Sequence, residues 1–261
     1  MSREDITEAL GRLDDLTRRL RRECPWDREQ DERSIVPHTV EEAYELADAA
    51  ARGDDAKLLD ELGDVLFQVH FLSLLLEERG AGDLAQVAEH CRRKLVRRHP
   101  HVFGDAEAET AGQVLRNWDA VKEGEEGRER GVFAEVPDNL PGPLLARKVQ
   151  RRAASSGFDP LTAPETVDAA RLALEQIAAD GADAATIGDA LFALVNVARK
   201  AKVDPELALR ASAGRFRSRV EVAVKLAERA GESWNEITDD RRLSLYAQAR
   251  LNETQESPES P

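Results

Sequence analysis

Residues Thr39–Gln68 read TVEEAYELADAAARGDDAKLLDELGDVLFQ, and the placement of acids in this stretch decides the fold. Two carboxylate groups stand out, Glu41-Glu42-x-x-Glu45 and Glu61-x-x-Asp64. Residues three apart on a helix share a face, so Glu42 stacks with Glu45 and Glu61 with Asp64. The segment between them, Ala51-Arg52-Gly53-Asp54-Asp55, has the chemistry of a turn. Gly53 suits a left-handed helix end, and Asp54 or Asp55 suits the cap of the next helix. A turn this short predicts an antiparallel helical hairpin. Four carboxylates on facing helices repel one another unless a cation lies between them. Hard oxygen donors with no Cys or His nearby favour Mg²⁺, with Mn²⁺ as a substitute, over zinc.

Acidic pairs at helical spacing are also common on solvated faces, so each pair alone has an ordinary explanation. The surroundings of the second pair argue against it. Glu61 and Asp64 sit among Leu58, Leu59, Leu62, Val65, Leu66, Val69 and Leu72, an apolar band wide enough to be core. Acids bordering such a face are partly desolvated and need a partner. Lys57 is the one basic residue within a turn of either acid. Glu42 has a competing structural task, because Thr39 fits an N-cap with Glu42 closing a capping box.

The chain has 261 residues and a formal net charge of -14, which argues against general binding to a nucleic-acid backbone. Aromatics are only 5% and β-branched alternation is scarce, so the composition predicts an all-α protein. Cys24 and Cys91 form neither a metal motif nor a disulfide framework. The charged start MSREDITEALGRL lacks a signal-peptide core, and no apolar run approaches a membrane span. A reduced cytoplasm is the expected setting, with no membrane partner.

Outward from the acidic stretch, Ile6–Arg22 reads as an amphipathic helix that stops at Cys24-Pro25-Trp26-Asp27, followed by a loop to His38. After the hairpin, Gly80 and Gly82 end the second helix and Asp83 caps a third over Leu84–Arg98. That helix finishes in Arg92-Arg93-Lys94-Leu95-Val96-Arg97-Arg98. The helix dipole favours some basic charge there, but five in seven positions exceed that need. Lys94 and Arg98 share a face and are suited to phosphate oxygens. A helix is expected around 111–126, with Trp118 and Lys122 four apart; Trp118 reads either as a nucleobase platform or as core.

From Gly124 the sequence GEEGRERGVFAEVPDNLPGP marks a boundary. The expected organisation is a first helical domain over residues 1–126, a linker over 127–143, a second helical domain over 144–251 and a disordered tail over 252–261. The second domain echoes the first. Glu61-Leu-Gly-Asp64-Val-Leu-Phe67 is matched by Thr186-Ile-Gly-Asp189-Ala-Leu-Phe192. The basic end Lys94–Arg98 is matched by Arg215–Arg219. This predicts duplicated helical-bundle modules, the second a degenerate copy that has lost most of its carboxylates.

These motifs in this order resemble the MazG family of nucleoside triphosphate pyrophosphohydrolases. The residues that carry the resemblance are Cys24-Pro25-Trp26-Asp27, Glu41-Glu42-x-x-Glu45 with Glu61-x-x-Asp64, the run Glu61–Gln68, and Arg97-Arg98-His99-Pro100-His101-Val102-Phe103. It extends over about residues 5–250. The resemblance implies an all-α pyrophosphatase fold, usually dimeric, and Mg²⁺-dependent hydrolysis of an NTP or dNTP to the monophosphate and pyrophosphate. It implies Glu42, Glu45, Glu61 and Asp64 as metal ligands, with Glu41 orienting water. It also implies Lys94, Arg97 and Arg98 on the triphosphate, and Trp118 and Lys122 on a helix closing over the nucleotide. Removal of unwanted nucleotides from the pool is the role expected of such an enzyme. The alternative is a catalytically weak helical module that binds nucleotides or a protein partner.

Overall fold

The computed structural model describes residues 2–110, 112–114, 117, 118, 121, 131–134 and 136–256. Helices are the regular secondary structure among them, with no strand. The chain divides into two compact units, Met1–Arg130 and Gly131–Pro261.

The first unit contains α1 (Arg3–Glu23), α2 (Pro25–Glu29), α3 (Glu32–Arg52), α4 (Asp55–Glu78), α5 (Leu84–Arg98) and the short α6 (Pro100–Phe103). α3 and α4 form the hairpin, and α1 and α5 each pack on α4. Gly53 closes α3 at φ 68°, and the Asp54 side chain accepts the Lys57 N–H to open α4, as the turn chemistry predicts. The core holds Ile35, Phe71 and Leu75, with Phe67 and Leu72 against them. Phe71 is almost wholly buried, which stabilises the unit by roughly 1.5–3 kcal/mol. Arg18 and Arg21 of α1 bind Glu77 and Glu78 of α4 at 2.6 and 2.8 Å. Arg21 also donates to the carbonyls of Asp27 and Gln30, which ties α2 into the same joint.

Two sequence expectations fail in this unit. The stretch from Cys24 to His38, expected to be a loop, is helical except for short breaks between α1, α2 and α3. Pro25 opens α2 at its first position, where a missing N–H costs nothing. Thr39 is not an N-cap. α3 already starts at Glu32, because Asp31 and Ser34 form a capping box ahead of Pro37. Pro37 therefore lies inside the helix, held there by the buried Ile35 beside it. Thr39 instead bonds back to the Ile35 carbonyl and across to Gln68 of α4. Glu42 is thereby released from any capping task.

The second unit contains α7 (Gly142–Ser155), α8 (Ala163–Asp180), α9 (Ala184–Lys200), α10 (Pro205–Arg229) and α11 (Asp239–Glu256). α8 pairs with α9, α10 with α11, and α7 packs on α9 and α10. Its core is Ala223, Ala227, Leu245 and Ala249, with Leu226, Trp234 and Ile237 around them. The last helix runs to Glu256, five residues beyond the Leu251 end expected for it, so the start of the expected disordered tail is helical. The helix expected around 111–126 lies largely outside the described residues, as do Lys122 and the first part of the linker.

Candidate metal centre on the helical hairpin

Glu42 and Glu45 project from the middle of α3 and Glu61 from α4, and the hairpin turn sets them opposite one another. One carboxylate oxygen from each of the three lies within 4.8 Å of the others. Glu45 is exposed, Glu42 half-buried and Glu61 1% exposed. Asp64 is exposed and stands outside this three-oxygen group. It is still close in electrostatic terms. Burial, then the charges of Asp64, Glu45, Glu61 and Glu41, raise the Glu42 carboxyl above its ordinary range. The charges that weigh most on Glu42 are all acidic. Glu41 points to solvent, with Oε2 3.6 Å from His38 Nδ1.

Glu61 is the anomaly of the site. A carboxylate taken out of water needs hydrogen bonds or a counter-charge. Neither of its oxygens has an aligned hydrogen-bond partner among the described residues. Lys57 Nζ touches Oε1 at 2.5 Å as an ion pair, one helical turn away, and Oε2 is buried without a partner among the described residues. Gln68, two turns further along α4, joins Thr39 of α3 at 3.4 Å and holds the two helices in register beside the acids. A buried carboxylate with one partnerless oxygen, facing two more carboxylates, is a donor set that fits a hard divalent cation. No Cys or His belongs to the group, so a soft-metal site does not fit.

The basic residues form a second group. Lys94 and Arg98 are half-buried and Arg97 exposed on α5. Lys94 lines an open cleft of about 800 Å³ at the α4–α5 turn with Leu76, Gly82, Gln86 and His90, and Glu42, Glu45, Glu61 and Asp64 do not line it. The Arg98 guanidinium lies 5.6 Å over the Trp118 ring, and His99 meets that ring edge-on at 4.9 Å. Arg98 and Trp118, proposed from sequence for different parts of a nucleotide, are thus brought onto each other. Sequence reasoning noted Lys57 merely as a nearby base. The i,i+4 spacing to Glu61 was the signal for their contact.

The hairpin thus presents opposed acids, one of them buried, from two helices of an all-helical unit. Residues 30–103 match the MazG nucleotide pyrophosphohydrolase domain, a span that includes every carboxylate of the site and the basic end of α5. The Escherichia coli K12 protein named nucleoside triphosphate pyrophosphohydrolase is 33% identical over 257 residues, covering 94% of this chain and 98% of its own. A Thermotoga maritima protein named nucleoside triphosphate pyrophosphohydrolase/pyrophosphatase MazG is 33% identical over 231 residues, 87% of this chain and 89% of its own. The uncharacterized protein YabN of Bacillus subtilis is 35% identical over 241 residues, 85% of this chain but 49% of its own. This chain belongs to the MazG family.

Proposed function

We propose that the chain is a Mg²⁺-dependent nucleoside triphosphate pyrophosphohydrolase, converting an NTP or dNTP and water to the monophosphate and pyrophosphate. The observation that carries this reading is the buried Glu61, with an unpartnered carboxylate oxygen beside Glu42 and Glu45. Glu42, Glu45, Glu61 and Asp64 would hold the metal, with Mn²⁺ as a substitute. Bound there, Mg²⁺ would neutralise phosphate charge and make a coordinated water more acidic. Glu41 would orient the water for in-line attack on the α-phosphorus, the bond to the bridging oxygen breaking as pyrophosphate leaves. Lys94, Arg97 and Arg98 would hold the triphosphate and stabilise the charge growing on the leaving group. Trp118, released from Arg98 as that guanidinium turns to phosphate, would offer its ring to the base, with Lys122 alongside. The role is clearance of unwanted nucleotides in the cytoplasm. Among the described residues no helix is long and apolar enough to cross a membrane.

A homodimer is part of the same reading. α4 exposes Leu59, Leu62, Leu66 and Val69 along one stripe, and α9 exposes Ile187, Leu191 and Leu194 at the matching positions. Apolar stripes of this length on a charged surface are the kind that a second copy covers. No nucleic-acid partner is expected at a net charge of -14.

The decisive assay measures pyrophosphate and monophosphate release from a panel of NTPs and dNTPs with Mg²⁺, for wild type and Glu61→Gln. Pyrophosphate release by wild type alone supports the reading. Release of single phosphate overturns the proposed point of attack. No release from any nucleotide moves the assignment to a nucleotide- or partner-binding module, a state the second unit already approaches with Thr186 in place of Glu61.

A further inference from the structure

One charged group in the acidic hairpin has no part in the reaction as written. Lys57 lies in the first turn of α4 and is half exposed, whereas Glu61, one turn on, is 1% exposed. The lysine stem runs along the helix from solvent and places Nζ 2.5 Å from Glu61 Oε1 and 3.2 Å from Asp60 Oδ2. Glu61 first, and Asp60 second, hold that ammonium above its ordinary range. From the facing helix Glu42 and Glu45, both acids, each bring a carboxylate oxygen within 4.8 Å of one of Glu61. Lys57 is therefore the cation in contact with the buried member of the cluster.

We propose that Lys57 is a resident counter-cation, neutralising Glu61 in the metal-free protein and displaced from Oε1 when a divalent ion binds. The inference rests on Glu61 being a metal ligand. Its logic is that two cations cannot both sit in contact with one carboxylate oxygen without strong repulsion. Before metal arrives, the ammonium limits the cost of a buried carboxylate whose other oxygen has no partner. A monovalent ion brings no more charge than the ammonium already supplies, so exchange favours a divalent one. The lysine thus holds the hairpin in shape without metal and raises the threshold for an ion to enter.

Mn²⁺ binding to the full chain, followed by calorimetry and by loss of the free-ion EPR signal, tests this in wild type, Lys57→Met and Glu61→Gln. Titrations are run at low salt and at about 0.5 M KCl, where exposed charges more than a few ångströms apart are screened. The expected result is that Lys57→Met binds Mn²⁺ on the order of tenfold more tightly at both salt concentrations. The variant should also melt below wild type without metal and recover when Mn²⁺ is added. Equal or weaker Mn²⁺ binding overturns the proposal. So does tightening that disappears in high salt, since that reports only long-range attraction. Lys57→Gln, which keeps a polar head, repeats the comparison if the methionine variant folds poorly. Wild type that binds no Mn²⁺, or Glu61→Gln that binds as well as wild type, would instead overturn the metal-ligand assignment.

Discussion

Glu42 shows what the hairpin costs before a metal arrives. Burial and the charges of Asp64, Glu45, Glu61 and Glu41 all push its carboxyl above the ordinary range, so its ionised form is destabilising in the metal-free fold. Glu42→Gln should therefore raise the melting temperature in chelator by about 2–4 °C, and that variant should lose the further rise that Mg²⁺ gives wild type. A thermal melt in chelator and in Mg²⁺ reads both effects. For wild type, Mg²⁺ at about 100 times its dissociation constant should add roughly 2.7 kcal/mol of stability, and Glu61→Gln should show no such gain. Glu78 gives a second prediction, of opposite sign. The Arg21 guanidinium holds its carboxyl below the usual range, so the pair stabilises the fold above the unfolded carboxyl value of about 4.3. That contribution is lost as pH falls through the lowered folded value. Wild type should melt a degree or two above Glu78→Gln at neutral pH, and the gap should close in acid below about pH 4.

At the scale of the helices, boundaries were legible where a local hydrogen-bonding signal existed and opaque where two such signals competed. Gly53, Asp54 and Asp83 mark their ends as read from sequence. The start of α3 differs from the expected Thr39 cap because Asp31-x-x-Ser34 is a capping pattern as well, and it lies earlier in the chain. The earlier pattern prevails because Ile35 enters the core with Phe71 and Leu75, a tertiary contact that no local pattern reports. The facing of Glu42, Glu45 and Glu61 followed from spacing alone. The depth of Glu61 did not, since it depends on how α3 covers α4. Nor did the stacking of Arg98 on Trp118, which joins residues on separate elements. The Gly53 turn offers a clean element-level test. A Cβ there would meet nothing within 4 Å, yet φ is 68°, so Gly53→Ala carries a purely conformational cost. Chemical denaturation should show about 1 kcal/mol lost with an unchanged m-value.

At the scale of the whole molecule, all three clustered acids and the residues that buttress them belong to the first unit. A fragment comprising residues 1–130 should then bind Mn²⁺ within a few-fold of the full chain, measured by the same titration. Loss of binding would mean that the second unit contributes to the centre beyond carrying its own core. The two units repeat one hairpin plan, α3–α4 and α8–α9, each closed by a glycine at positive φ, Gly53 and Gly181.

The second hairpin differs from the first in where its motif sits on the helix. Thr186 is the third residue of α9, whereas Glu61 is the seventh of α4, so the second hairpin has about one turn of helix less ahead of the motif. The Thr186 hydroxyl serves the helix start, in a reciprocal box with Asp183. Counting back from the closing glycine, Ala170 and Ala173 stand where Glu42 and Glu45 stand in the first hairpin. Ala170 is buried, so no acid fits there without disturbing the packing. A single reversion to glutamate at position 186 would loosen a helix end and gain no facing acids. Restoring an acidic group in the second hairpin would therefore take several coordinated substitutions, at the helix start and on the facing helix alike.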